Sequence, residues 1–170
     1  MPEPAVVIRP LDLRDDGVVE ALHALGRASY AVEAELIGST AMPALRETPG
    51  ELRTRPLSWL GALSPDGELT GFVAWEDGAD GHGHGNGGMV IDRLCVDPGR
   101  FRQGIASLLL GHLLAEVAAG RRVAVTTGAA NAPAVALYER LGFTRGDDVE
   151  AEPGLWLASF TRPPRSHTDR

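Results

Sequence analysis

Residues 97–107, DPGRFRQGIAS, decide how this chain folds, because they predict a loop between a central strand and a helix. The preceding run Met89–Val96 is rich in β-branched and apolar residues, which is typical of a central strand. Pro98 ends that strand, since proline has no backbone N–H to donate. Beyond the loop, apolar residues recur at helical spacing and predict one buried helix face. They are Ile105, Leu108, Leu109, Leu113 and Val117.

This loop has the features of an anion-binding site. Gly104 and Ala106 have little or no side chain, so an anion can approach the unpaired N–H groups of the first helical turn, where the helix dipole also favours negative charge. Arg100 and Arg102 add positive charge beside it. Two common phosphate loops do not explain the pattern. A nucleotide P-loop needs a lysine, which this chain lacks, and a dinucleotide loop needs three spaced glycines.

A second segment, residues 131–143 (NAPAVALYERLGF), predicts a short helix with strong signals at both ends. Asn131 caps its beginning, and Pro133 lies in the first turn, where a missing N–H costs nothing. Gly142 ends the helix in a left-handed conformation, and Phe143 supplies the hydrophobic contact that accompanies such a cap.

The two segments together resemble the GCN5-related N-acetyltransferase (GNAT) family. Its acyl-coenzyme-A loop has the pattern Gln/Arg-x-x-Gly-x-Gly/Ala, which is matched here by Phe101-x-x-Gly104-x-Ala106 with Phe at the first position. Residues 131–143 resemble the family's Asn-x-x-Ala-x-x-Leu-Tyr-x-x-x-Gly-Phe segment. Both occur in the family's order, separated by a helix and the apolar run 122–127, and on this basis the chain is identified as a member.

The resemblance implies one α/β domain over residues 1–160, with a mixed, mostly antiparallel sheet flanked by helices and with strands four and five parallel and splayed. Residues 161–170, which contain two prolines, are expected to form a disordered tail. The local patterns predict the order β-α-α-β-β-β-α-β-α-β-β. The segments are a strand at 5–9, a helix from Asp12 or Asp15 to about Arg27, a broken helix over 30–52, strands at 58–63, 69–76, 89–96 and 122–127, the two helices described above, and two strands over 149–160.

The resemblance further implies acetyl-coenzyme A as the cosubstrate, bound mostly through backbone groups. The pantetheine arm would lie between strands four and five, and the pyrophosphate would lie against the first turn of the helix. The residues implied for the cofactor site are Leu94, Cys95, Val96, Arg102, Gln103, Gly104, Ile105, Ala106, Ser107, Asn131 and Tyr138.

The reaction implied is direct attack of a neutral amine on the thioester, through a tetrahedral intermediate that expels the coenzyme A thiolate. Tyr138 occupies the position of the family's tyrosine and would protonate the leaving sulfur; a core aromatic is the alternative for this residue. For the general base two candidates stay open, Asp92 and Glu35, and an arginine salt bridge is the alternative role for Asp92. Glu33 and Glu35 either face the amine or lie on a solvated helix face.

Charge and composition limit the partners. The net charge of −7 and the pI of about 5.2 disfavour nucleic-acid binding and favour a cationic ligand. We therefore predict an N-acetyltransferase for the primary amine of a small cationic molecule. The alternatives are acetylation of a protein N-terminus or lysine, and a catalytically silent acyl-coenzyme-A-binding regulatory domain. A homodimer is possible, and the sequence does not fix the oligomeric state.

The remaining features predict a cytoplasmic protein without a metal. No apolar run is long enough to span a membrane, and the N-terminus lacks a signal-peptide pattern. Cys95, the single cysteine, is expected to be a buried hydrophobe rather than a nucleophile. His82 and His84 lie in the glycine-rich segment 77–88, which predicts a mobile hairpin tip rather than a metal site.

Overall fold

The computed structural model describes residues 6–38, 43–77 and 88–164. In this part of the chain eight strands form one sheet in the order β1-β2-β3-β4-β5-β8-β6, and β7 also pairs with β8. The strands are β1 (Val7–Pro10), β2 (Ser58–Leu63), β3 (Leu69–Asp77), β4 (Met89–Val96), β5 (Val123–Gly128), β6 (Thr144–Arg145), β7 (Val149–Glu152) and β8 (Leu155–Arg162). The helices are α1 (Asp16–Ile37), α2 (Pro49–Thr54), α3 (Ile105–His112) and α4 (Ala132–Arg140), with a 3-10 turn at Pro43–Arg46 and a π turn at Leu113–Val117 that continues α3.

The sheet is antiparallel except at its centre, where β4 and β5 run parallel. This confirms the predicted mixed sheet with two parallel central strands. The parallel pairing is short, extending only from Met89↔Val123 to Ile91↔Val125. Beyond that point β4 pairs only with β3, and β5 pairs only with β8. The two strands therefore splay apart toward their carboxyl ends, as predicted.

A β-bulge in β4 lies at the point where the strands separate. Ala74 pairs with Arg93 and Trp75 pairs with Ile91, so that Asp92 has no opposite residue on β3. An extra residue of this kind bends a strand and increases its local twist. Because the bulge directly follows the last parallel pair, it directs the rest of β4 away from β5 and opens a cleft between them.

Helices cover both faces of the sheet and form a hydrophobic core on each. On one face α1 packs with α2, and Leu22 and Tyr30 of α1 lie in one cluster with Phe72 of β3. On the other face α3 and α4 form the larger core, which contains Leu109 and Val73. Neighbouring strand residues such as Phe72 and Val73 belong to opposite cores because successive side chains of a strand point to opposite faces.

The predicted break between two N-terminal helices is wrong, because α1 runs without interruption from Asp16 to Ile37. Its buried positions include Leu22, Gly26, Tyr30 and Ala34, which keep a four-residue spacing across the expected break. One continuous apolar face therefore holds the helix against the sheet. Of the two proposed starts, Asp15 is the cap, and its side chain accepts hydrogen bonds from the backbone N–H groups of residues 17 and 18.

The predicted apolar face of α3 is wrong at one position. Leu108 is 49% exposed, whereas Leu110 is fully buried. A helix turns by about 100° per residue, so Leu108 lies about 200° from Leu110 and faces solvent. Of the other predicted members of this face, Ile105, Leu109 and Leu113 are buried, and Val117 is half-buried.

Two further predictions concern the C-terminal tail and the loop that contains His82 and His84. β8 continues to Arg162, which pairs with Val123, so Thr161 and Arg162 are strand residues and not part of the predicted tail at 161–170. Pairing with β5 satisfies their backbone groups and extends the sheet past the predicted boundary at residue 160. Residues 165–170 lie outside the described residues, as do residues 78–87 with His82 and His84.

Candidate active site

The loop before α3 forms an open cradle at the helix N-terminus. Gly104 is the N-cap residue, with φ of 78°, and it provides no side-chain hydrogen bond to the first turn. The first helical bond that includes it runs from Leu108 N to Gly104 O at 3.0 Å. A Cβ atom built on Gly104 would meet nothing within 4 Å. The N–H groups of the first turn therefore face open space without a side-chain cap, which is the arrangement that binds phosphate groups.

The charge beside this cradle comes from Arg102. Arg100, the other predicted contributor, pairs with Glu68 at 3.1 Å and with Asp97 at 3.7 Å. Arg102 is exposed and has no ion pair within the described ranges. Its φ of 67° is left-handed, which is rare for a residue with a side chain and costs stability. The remaining predicted cradle residues, Gln103, Ile105, Ala106 and Ser107, follow along the loop and the first turn of α3.

A cleft of about 190 Å³ opens where β4 and β5 diverge. It brings together predicted site residues from two elements: Asp92 and Leu94 on β4, and Asn131 and Tyr138 at and within α4. Val96 lies further along β4 and packs partly against the core on the α3 side. The opposite wall comes from α1 and from the 3-10 turn before α2. The cleft is thus bounded by the splayed strands on one side and by the N-terminal helices on the other.

Tyr138 is held rigidly at this cleft. It is only 4% exposed, and its ring packs against Phe143 and Phe160 with centroid distances of 5.5 Å to each. Asn131 fixes the start of α4, because its side chain accepts a hydrogen bond from Ala134 N at 3.3 Å. Burial, and then the negative charge of Glu33, raises the pKa of Tyr138 well above its ordinary value. Its hydroxyl is therefore protonated at neutral pH, as a proton donor must be.

Asp92 has the salt bridge that was the alternative to a role as general base. Its Oδ2 accepts a hydrogen bond of 2.6 Å from Arg93 Nε, and the Arg93 side chain is only 7% exposed. The Asp92 side chain is 31% exposed and reaches the cleft. One oxygen of this carboxylate is thus committed to a buried guanidinium and is not available to accept a proton from the amine.

Glu35, the second candidate base, is exposed and does not line the cleft, whereas Glu33 does. The two residues lie about 200° apart on α1, so they cannot face the same site. Burial raises the pKa of Glu33, and a hydrogen bond from the Asn131 side chain opposes this shift. The signal that identifies Glu33 is its position between Tyr30 and Ala34, which are buried. The predicted break in the helix near residue 30 separates these positions, so the pattern is not evident from the sequence.

Comparison with known proteins identifies the family to which this chain belongs. The sequence model of the Acetyltransferase (GNAT) family matches residues 22–143, which include the loop, the cleft strands and the capped helix. The chain belongs to the GNAT family of acetyltransferases. The predicted family is confirmed, and with it the acetyltransferase class.

Individual known proteins match nearly the whole chain at low identity. It is 28% identical over 159 residues to the UPF0157 protein YqkA of Bacillus subtilis (strain 168), covering 94% of this chain and 44% of that protein. The chain thus spans less than half the length of this relative. The ribosomal-protein-S18-alanine N-acetyltransferase of Escherichia coli superposes with a TM-score of 0.69 at 19% identity, covering 98% and 99% of the two chains. The PaiA N-acetyltransferase of Thermoplasma acidophilum, solved with coenzyme A, gives 0.67 at 17%, covering 92% and 98%.

The GNAT family uses acetyl-coenzyme A as the acetyl donor, and the cradle fits its pyrophosphate. The uncapped first turn of α3, the open space beside Gly104 and the unpaired charge of Arg102 are the features that such a group requires. The free edge of β4 beyond Ile91 would take the pantetheine arm. When bound, the cofactor supplies an activated acetyl thioester to the cleft.

We expect Arg102→Gly to stabilise the protein and to weaken its binding of acetyl-coenzyme A. Glycine adopts a φ of 67° without strain, so the free energy of unfolding should rise by about 1 kcal/mol. Loss of the charge should raise the dissociation constant roughly fivefold at low salt, and less as salt increases. Thermal melting and calorimetric titration at two salt concentrations check both parts. Weaker binding without a gain in stability would contradict the idea that Arg102 is strained for the sake of the ligand.

Cys95 contributes only its backbone to this site. Its side chain is buried in the core on the α1 side, where burial raises the pKa of the thiol to about 12. The neutral thiol is a poor nucleophile, in agreement with its predicted role as a buried hydrophobe. Across residues 6–38, 43–77 and 88–164, no group of three His, Cys, Asp or Glu side chains could hold a metal ion. The same ranges contain no helix long and apolar enough to cross a membrane.

Proposed function

We propose that this GNAT enzyme transfers the acetyl group of acetyl-coenzyme A to the primary amine of a small cationic molecule. The observation that carries the proposal is that Glu33 and Tyr138 line the same cleft, at the point where β4 and β5 separate. A carboxylate on the acceptor side attracts an ammonium group, and a protonated tyrosine suits a departing thiolate. The cleft volume of about 190 Å³ suits a small molecule or one extended side chain. The net charge of −7 supports a cationic acceptor.

Three groups of the chain would divide the work. Glu33 binds the ammonium ion and accepts one of its protons, which leaves the nitrogen lone pair free to attack. A backbone N–H of β4 near Val96 polarises the acetyl carbonyl. As the new N–C bond forms and the C–S bond breaks, the Tyr138 hydroxyl donates its proton to the sulfur, and the resulting tyrosinate takes back a proton from the nitrogen, which becomes a neutral amide. We favour Glu33 over Asp92 as the base, because Asp92 is paired with Arg93, whereas among the described residues the only bonded partner of Glu33 is the neutral Asn131 side chain.

The experiment that tests this function is an amine-dependent assay of thiol release from acetyl-coenzyme A. The acceptors should include polyamines, aminoglycosides, amino acids, and short peptides with a free N-terminus or an internal lysine. We expect the highest kcat/KM with small polycations. A clear preference for peptides would favour protein acetylation instead, the activity that the name of the Escherichia coli neighbour describes for that enzyme. Tight cofactor binding without acetylation of any amine would favour a silent binding domain.

Glu33→Gln should remove the low-pH limb of the rate profile. Burial raises the pKa of Glu33, so in the wild type kcat/KM for the amine should rise with pH as this carboxyl loses its proton. The glutamine variant should show a flat profile there and a kcat/KM lower by about 10²-fold at neutral pH. Its thermal stability should not fall, since the substitution removes a charge whose burial disfavours the ionised form.

Glu35→Gln is the matched control for this experiment. It makes the same change of charge two residues further along α1, at an exposed position outside the cleft. Its kcat/KM should stay within about twofold of the wild type. Equal losses in the two variants would mean that general surface charge, and not a base at residue 33, explains the effect.

A further inference from the structure

Glu47, between the 3-10 turn and α2, is a buried carboxylate that bonds to two arginines. Its side chain is only 4% exposed. Oε1 accepts a hydrogen bond of 2.7 Å from Arg93 Nη1, and Oε2 accepts bonds of 3.0 and 2.7 Å from Arg55 Nε and Nη2. Its main-chain oxygen accepts a bond of 2.9 Å from His23 Nε2 of α1. One residue of an irregular segment is thus bonded to the central sheet and to α1.

Arg93 connects this carboxylate to the cleft. It follows the bulge residue Asp92 on β4, and its guanidinium donates to Glu47 and Asp92 at the same time. The guanidinium carbon also lies 5.7 Å from the ring centroid of Trp59, within cation–π distance. The Arg93 guanidinium thus contacts Glu47, Asp92 and Trp59, and these contacts fix its position.

The segment that Glu47 holds forms part of the acceptor wall. Ala44, three residues before Glu47 in the 3-10 turn, lines the cleft opposite Asp92 and Tyr138. Ala44 and Leu45 of the 3-10 turn and Leu52 of α2 pack against the core on the α1 side, but this apolar packing is not directional. The hydrogen bonds from Arg93 to Glu47 add a directional connection between this segment and β4.

Resting on the proposed function, we infer that the Glu47–Arg93 ion pair is a positioning device that holds the Ala44 wall and thereby limits the size of the acceptor amine. A buried ion pair contributes little net stability compared with apolar residues of similar volume, but it is directional and permits one arrangement. Burial alone would raise the pKa of Glu47, yet the hydrogen bonds and charges of Arg93 and Arg55 outweigh it and hold the pKa below its ordinary value. The pair is therefore ionised throughout the pH range of an acetylation assay.

Glu47→Gln tests this inference with a change of charge and almost none of volume. We expect the amine KM to rise about tenfold, with the KM for acetyl-coenzyme A within twofold of the wild type, because Glu47 bonds to Arg93, Arg55 and His23 and to none of the cradle residues. The ratio of kcat/KM between a small and a bulky amine should fall at least fivefold, since the wall no longer excludes the larger one. Ala44→Val should act in the opposite direction and raise that ratio.

Arg53→Gln is the control, because the ion pair between Arg53 and Asp16 also connects α2 to α1 but is exposed on both sides. Its amine KM and size ratio should match the wild type. If Glu47→Gln fails to fold, the double variant Glu47→Leu/Arg93→Met replaces the pair by apolar residues and takes its place. Asp92→Asn shows how much of the double variant's effect comes from freeing Asp92.

The outcomes separate this inference from the function on which it rests. A wild-type enzyme that acetylates no amine would overturn the proposed function, and the inferred size limit with it. An active wild type together with a Glu47→Gln protein, or double variant, of unchanged amine KM and size ratio would overturn the inference alone. A rise in KM equal for small and bulky amines would also overturn it, because a displaced wall must affect them differently.

Discussion

Ala106→Glu should abolish the stabilisation of this protein by acetyl-coenzyme A while leaving the fold intact. Ala106 is half-buried in the first turn of α3, beside the uncapped N–H groups. A carboxylate there occupies the cradle and repels the pyrophosphate, but an acidic residue in the first turn of a helix is itself favourable. Ligand at about 100 times its dissociation constant should stabilise the wild type by roughly 2.7 kcal/mol, and the variant by almost nothing. Thermal melting with and without ligand measures the difference.

Leu108→Glu is the matched control for this substitution. It also introduces one carboxylate into α3, but Leu108 is 49% exposed and lies about 200° around the helix from Ala106. This variant should keep nearly the whole ligand-induced shift. Gly104→Glu is a less suitable test, since the φ of 78° at that position would add backbone strain to the loss of binding. An undiminished shift in the Ala106→Glu protein would mean that phosphate binds elsewhere.

Tyr138→Phe should lower turnover by about 10²-fold while cofactor binding and folding stay near the wild type. The phenylalanine ring keeps the contacts with Phe143 and Phe160 and loses only the proton donor. The expected loss is at the lower end for general acid catalysis, because a thiolate is a tolerable leaving group. Since the interaction exists only in the transition state, kcat and kcat/KM should fall together. Steady-state and single-turnover rates at several pH values measure this.

The chain's other tyrosine gives the control. Tyr30 also lines the cleft and is buried, and its hydroxyl has no hydrogen-bond partner within the described ranges. Tyr30→Phe therefore removes a hydroxyl at the same cleft without removing a bond, and activity should stay within about threefold. Unchanged turnover in the Tyr138→Phe enzyme, with chemistry shown to limit the rate, would leave Tyr138 as a core aromatic and return weight to a binding domain.

The features predicted correctly are those whose causes lie close together in the sequence. The bounds of β4 follow from its composition and from Pro98, and the ends of α4 follow from Asn131 and Gly142, each acting on backbone groups a few residues away. The parallel pairing of β4 with β5 was expected from the family resemblance.

The features missed depend on partners that are distant along the chain. The Glu47–Arg93 bond joins residues 46 positions apart, and no local pattern indicates it. The face of α1 on which Glu33 lies could not be predicted, because the sequence pattern indicates a break in the helix near residue 30. The helix is nevertheless continuous, since a long helix is stabilised mainly by its packing and not by its local signals. Alternation along β4 gave no sign of the bulge at Asp92, because a bulge depends on how the neighbouring strand pairs.

The bulge at Asp92 determines on which face of the sheet the later side chains of β4 lie. Before it, Met89 and Ile91 belong to the core on the α3 side; after it, Cys95 belongs to the core on the α1 side, although all three positions are odd-numbered. The inserted residue thus reverses which face each later side chain occupies, and this reversal directs Arg93 toward Glu47. Deleting position 92 would therefore place the later side chains of β4 on the opposite faces of the sheet and separate Arg93 from Glu47.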